Sequence, residues 1–137
     1  MTKTAEFELV APEELLLSEL VELVVVPGAE GDFGVLPGHS PLISTLRTGV
    51  ITVYEKDKVK KRLFVSGGFA EVTPERCTVL ADEAVSIETA NRRDVENRIQ
   101  AGQEVFDAAS EDEKEDAAEA LRISKALLAA LDTAGQA

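Results

Sequence analysis

The chain has one histidine, His39, so any acid–base or nucleophilic chemistry at neutral pH has to be built around it. Ser40 follows it, and Asp32 lies seven positions before it. A serine nucleophile needs an imidazole to take its proton and an acid to orient the ring. The Gly-x-Ser-x-Gly turn that would present such a serine does not occur. Asp32 and His39 also form a candidate acid–base pair, but both lie among Gly and Pro and read as polar turn residues. Gly28, Gly31, Gly34 and Gly38 tempt a phosphate-loop reading. The stretch lacks the Gly-Lys-Ser/Thr of one such loop and the G-x-G-x-x-G of the other, and its acids would repel phosphate. Its glycines read instead as suppliers of positive φ in turns. So ornate a loop on a small body points to a surface that contacts something. Cys77 is the only cysteine, which excludes an internal disulfide. One His with one Cys excludes a zinc cluster of the usual spacing. No catalytic, metal or cofactor-binding residue is assigned.

The rest of the chain sets limits on the partner. Its 137 residues, 45% hydrophobic and 29% charged, suit one compact domain, or one domain with a small appendage. Lys plus Arg is 14 and Asp plus Glu is 26, a net charge of −12. That balance argues against nucleic acid, whose phosphates need concentrated positive charge, and against docking on anionic lipid. No apolar run approaches the roughly 18 residues that span a bilayer. The opening stretch "MTKTAEFELVAPEE" shows no basic-then-apolar signal. The expectation is a protein that stays where it is made, in a reducing bacterial cytoplasm, with Cys77 as a buried thiol in a strand.

Two halves follow different rules. All five Pro and most Gly lie before Glu75, whereas Ala crowds the second part. Ala5, Phe7 and Leu9 alternate with Glu6 and Glu8, and the run Val21 to Val25 ends at Pro27-Gly28. Further short runs cover Phe33 to Leu36, Leu42 to Leu46, Val50 to Tyr54, Arg62 to Val65, Phe69 to Val72 and Thr78 to Ala81. The charged "EKDKVKK" from Glu55 to Lys61 reads as a hairpin tip. Strands this short and this evenly punctuated predict a β-sandwich or flattened barrel. Several runs are apolar on both faces, as expected where two sheets pack or a partner covers one.

The period changes near residues 82–87. Val95, Ile99, Gly102, Phe106 and Ala109 recur at helical spacing, with Asn91 as a cap. "SEDE" predicts Ser110 as the cap of a second helix, with Ala117, Leu121, Ser124, Leu128 and Leu131 on one stripe. The short link predicts an antiparallel hairpin. The fold class is therefore α+β by halves: an all-β sandwich over residues 1–86, then a two-helix hairpin over 87–137.

Two stretches carry a family resemblance. In the first, Gly31-Asp32-Phe33-Gly34 is followed by Pro37-Gly38-His39-Ser40-Pro41-Leu42; in the second, Ser66-Gly67-Gly68 with Glu71-Val72 leads to Val79-Leu80-Ala81-Asp82. Together they resemble the epsilon subunit of bacterial F-type ATP synthases, strongly over residues 4–90 and by layout over the helices. The resemblance implies a sandwich of about ten strands. It implies a non-catalytic rotor subunit of the central stalk, bridging the gamma subunit to the c-subunit ring and coupling proton-driven rotation to ATP synthesis. The loop "EGDFGVLPGH" is implied to dock on the c-ring through Glu30, Asp32, Phe33 and His39. The sandwich's apolar surface is implied to cover gamma. The complex would hold the chain at the cytoplasmic face of the bacterial inner membrane, without membrane insertion of its own.

The resemblance offers an alternative: an inhibitor of ATP hydrolysis, whose C-terminal helices open and meet the α and β subunits. In the family that route uses basic groups on the second helix. Here they are Lys114, Arg122 and Lys125 among many acids, and "LDTAGQA" carries no base, so strong inhibition is not expected. Some members bind ATP through an acid-x-x-Arg-Ala pattern. Here Asn97 stands three residues after Asp94, with Arg98 one place late and Ile99 after it, so nucleotide binding is not carried over.

Overall fold

The first strand shows how the core is built. In β1 (Ala5–Ala11), Ala5, Phe7 and Leu9 are buried while Glu6, Glu8 and Val10 alternate onto the other face. There follow β2 (Glu14–Val21), β3 (Leu23–Gly28), β4 (Gly31–Val35), β5 (Leu42–Thr45), β6 (Gly49–Glu55), β7 (Lys58–Ser66), β8 (Phe69–Val72), β9 (Arg76–Leu80) and β10 (Glu83–Ser86). Two helices, α1 (Arg92–Ala108) and α2 (Lys114–Gly135), complete the chain's elements. The structure is a computed structural model that describes residues 3–12 and 14–135.

The ten strands form two five-stranded sheets, ordered β2-β1-β9-β8-β5 and β10-β7-β6-β3-β4. Phe7, Leu9, Val24, Val26, Ile51, Val53, Val72 and Val79 fill the space between them. This is the sandwich that the short runs predict. Burial removes water from the Cys77 thiol in β9 and pushes its pKa up to about 12. The turn into β8 depends on a missing side chain. Gly68 has φ +96°, and a Cβ there would lie 1.8 Å from the Leu80 carbonyl oxygen.

Several elements differ from the sequence reading. The run Val21 to Val25 is two strands: Val21 closes β2 in one sheet and Leu23 opens β3 in the other. Between them the Glu22 carboxylate accepts the Lys56 backbone N–H at 2.6 Å. The charged "EKDKVKK" is mostly strand. Its turn is Lys56 and Asp57 alone, both left-handed at φ 53° and 63°, and β7 already begins at Lys58. That end of the ribbon is exposed, so charge there costs no desolvation. Beyond β10, the Ile87 N–H bonds the Arg62 carbonyl and Glu88 accepts the Arg62 N–H at 2.8 Å, so the sandwich unit runs to Glu88.

The helical unit starts at Thr89. Asn91 caps α1, its side chain accepting the Asp94 N–H. Val95 is buried, and Ile99, Gly102, Phe106 and Ala109 are half-buried, along the expected stripe. Ser110 is not the cap of α2. Its carbonyl accepts the Glu113 N–H in a turn, and the helical ladder starts where Ala117 N–H bonds the Glu113 carbonyl at 3.0 Å. On α2, Ala117, Leu121, Ser124 and Leu127 are buried, with Leu128 and Leu131 half-buried beside them. The Arg98 Nε donates to the Ser124 hydroxyl at 2.8 Å, and Arg92 pairs with Asp132. At the link, the Lys114 ammonium sits 4.9 Å from the centre of the Phe106 ring. These contacts run in opposite senses along the two helices, so the hairpin is antiparallel.

Candidate functional site

The segment Glu30 to His39 is a hairpin arm rather than one loop. Ala29 and Glu30 form its tip, between Gly28 of β3 and Gly31 of β4. The two arms approach closely because Gly28 has no side chain. A Cβ there would meet the Gly31 carbonyl oxygen at 2.8 Å and the Phe33 ring at 2.9 Å. Phe33 is half-buried and packs on the sandwich core, while Glu30 and Asp32 are exposed.

The tip is fastened to the last residue of β5 and to the segment that follows it. Ala29 N–H bonds the Thr45 carbonyl at 2.9 Å, and Arg47 N–H bonds the Pro27 carbonyl at 3.0 Å. The Arg47 side chain adds two contacts: Nη1 donates to the Gly28 carbonyl at 2.6 Å, and Nη2 pairs with the Asp32 carboxylate. Nothing in the sequence singled out Arg47. It lies fifteen residues from Asp32 and on another strand connection, so only the fold brings the two together.

His39 stands apart. It follows β4 in a turn where its N–H bonds the Leu36 carbonyl, and Gly38 N–H bonds the Pro74 carbonyl at 2.7 Å. The His39 Nδ1 lies 2.6 Å from the Ser40 carbonyl, so Nδ1 is the donor there. Asp32 sits at one end of β4 and His39 beyond the other, one beside Arg47 and one beside Pro74. They do not form an acid–base pair. Among the described residues, no group of three or more His, Cys, Asp or Glu is placed to hold a metal ion. An open cleft of about 750 Å³ is lined by Leu23, Leu36, Pro37 and Tyr54 together with the charged Lys3, Glu22, Lys56 and Asp57. No helix among the described residues is long and apolar enough to cross a membrane.

The outward face of the first sheet carries a second feature. Register aligns Leu15 with Val10, Val10 with Leu80, Leu80 with Phe69, and Phe69 with Thr45. Four apolar side chains therefore form one row across β2, β1, β9 and β8. Leu15 is 56% exposed, Phe69 40% and Leu80 38%. The adjacent row is largely polar: Ser18, Glu8, Thr78 and Glu71, ending at Ile43, which is 70% exposed. A groove of about 360 Å³ runs beside Val10, Phe69 and Leu80. The apolar row ends at Thr45, the residue whose carbonyl fastens the acidic tip. An open apolar row near an exposed acidic tip has the character of an interaction surface.

A family model described as the ATP synthase delta/epsilon chain beta-sandwich domain matches residues 4–87. The chain is 56% identical over 131 residues to the ATP synthase epsilon chain of Rhodospirillum rubrum, spanning 95% of this chain and 98% of the relative. It is 46% identical over 132 residues to the ATP synthase epsilon chain of Paramagnetospirillum magneticum, spanning 96% and 99%. Among solved structures it is similar to a chain of the Euglena gracilis mitochondrial ATP synthase OSCP/F1/c-ring assembly. There the TM-score is 0.74 at 27% identity, over 93% of this chain and 81% of that one. A chain of the Tetrahymena thermophila mitochondrial ATP synthase central stalk and c-ring shares the fold, with a TM-score of 0.54 at 14% identity over 97% of each.

Proposed function

The chain belongs to the epsilon-chain family of F-type ATP synthases, and on that premise we propose that it bridges the gamma subunit to the c-subunit ring in the rotor. It is a non-catalytic stalk subunit of the ATP synthase complex. In this reading the apolar row Leu15, Val10, Leu80 and Phe69 covers gamma. The tip bearing Glu30 and Asp32, braced by Phe33, meets the c-ring, with His39 contributing from the turn beyond β4. The complex holds the chain at the cytoplasmic face of the bacterial inner membrane.

The observation that carries this reading is the junction of the two features at Thr45. One surface is apolar and suits a stable partner, because desolvating it supplies about 25 cal/mol per Å². The other is charged and suits setting register more than affinity. A subunit transmitting torque between two bodies needs both. The test replaces Phe69 and Leu80 together by Ser on the solvent face of the sheet. The full chain should then fail to co-purify with gamma while still unfolding cooperatively in urea, at a stability lowered by about 1–3 kcal/mol because both side chains are more than half covered. Retention of gamma by that variant would overturn the assignment of this face.

A further inference from the structure

Each sheet ends in two strands that are paired on one side only: β2 and β5 in the first, β10 and β4 in the second. The free side of such a strand carries backbone N–H and C=O groups with no ladder partner, and proteins blunt it with short length, charge, Gly or Pro. Three of the four edges follow that rule. β5 and β10 have four residues each, and β4 has five, two of them Gly. β2 does not follow it. It has eight residues without Gly, Pro or Lys, and Leu15, Leu16 and Leu20 are exposed along it. Its one bulge, opposite Leu9 and Val10, leaves Leu17 to Val21 in unbroken register. An inward charge can also deter a new strand, but Glu19 is already neutralised by Lys61 at 3.0 Å.

A second observation lies beside that edge. An open groove of about 280 Å³ is lined by Leu16 and Leu17 of β2, Leu63 of β7 and Val85 of β10, so it follows the seam between the two sheets. A strand added to β2 would turn alternate side chains toward that seam. We infer that β2 is the receiving edge for an extended backbone segment of the partner that covers the apolar row, and that this segment seats a Leu- or Ile-sized side chain in the groove. This rests on the gamma-covering role proposed above and deepens it. Backbone hydrogen bonds would supply affinity and the groove specificity. Two facts choose the occupant. The apolar row begins at Leu15, on β2 itself, so a body lying over the row reaches this edge. A second copy of the chain would bring another −12 of charge and be repelled.

The experiment uses synthase purified from its own cells and stripped of this chain, to which the full chain is added back. Hydrogen exchange is followed in peptides covering residues 14–21, free and bound. The β2 amides turned away from β1 should exchange fast in the free chain and at least about tenfold more slowly in the reassembled synthase, because new ladder bonds protect them. Leu16→Lys puts a charge at the groove and should weaken binding about tenfold, while the chain still unfolds cooperatively in urea. Leu16→Met keeps an apolar side chain there and should bind as the unchanged chain does. The exchange measurement on the unchanged chain stands without any variant. A bound chain whose residues 14–21 exchange as fast as in the free chain would overturn the inference and leave the covering of the apolar row intact. Full binding by a folded Leu16→Lys chain would overturn the seating of a side chain in the groove. Protection that grows with the concentration of the free chain would give the edge to a second copy and overturn the choice of occupant. Failure of the unchanged chain to bind at all would overturn the docking reading itself, which is a distinct result.

Discussion

Cys77 shows how a reactive side chain is made inert. It pairs in register with Phe7 of β1 and Val72 of β8, both inward-facing, so hydrocarbon replaces the water that would solvate a thiolate. The thiol titrates at about 12 in the fold against an ordinary 9.0. Between those values the folded chain keeps a proton that the unfolded chain has released, and base then favours unfolding. The contribution is complete below pH 9.0 and is lost as pH rises toward 12. Urea midpoints taken at about pH 8 and pH 10.5 should therefore fall further for the wild type than for Cys77→Ala, by about 1–2 kcal/mol. Other titrating groups are common to both chains and cancel. Parallel slopes would mean that the thiol is solvated. At pH 8 iodoacetamide should label Cys77 only in denaturant.

The β6–β7 hairpin turns on two residues held in the left-handed region without being glycine, Lys56 and Asp57. A two-residue turn with φ > 0 at both positions is best served by Asn-Gly. Replacing Lys56-Asp57 by Asn-Gly should raise stability by about 0.5–1 kcal/mol, since the Lys56 N–H to Glu22 is a backbone contact that survives. A lower midpoint would show that the two side chains hold the turn in a way their φ values do not reveal. The same hairpin marks the limit of reading strands from sequence. Hydrophobic alternation located β1, β6 and β9 because their faces differ. It missed the Lys58 to Lys61 part of β7, where both faces are wet, and it missed β2, where Leu15, Leu16 and Leu17 break the period at a bulge opposite Leu9 and Val10. Capping chemistry found Asn91 from its residue type, but misplaced the start of α2 because "SEDE" also satisfies a turn. The tip residues were legible as a pattern. Arg47 was not, since long-range pairing leaves no local trace.

The chain folds as two units, and the charge of the second limits what it could offer a partner. Opening the hairpin gives up the Arg98–Ser124 hydrogen bond, the Arg92–Asp132 pair and the packing of Leu121 against Gly102. What an opened α2 could then offer an acidic partner is little. Arg122 is paired with Glu119, Lys114 lies over Phe106, and Lys125 stands in a helix whose first turn carries Glu115 and Asp116. Residues 86–137 hold six basic and twelve acidic groups, net −6, so association with acids would be repelled at long range before any pair formed. Synthase reassembled with a chain ending at Glu88 should therefore hydrolyse ATP less than about 2-fold faster than with the full chain, a difference of roughly 0.4 kcal/mol in barrier. The sandwich keeps its own core between its sheets, so the shortened chain is expected to dock on gamma with unchanged affinity. A rise of about tenfold, near 1.4 kcal/mol, would require an inhibitory contact that charge does not explain, made by the apolar stripe through Leu121 and Leu127.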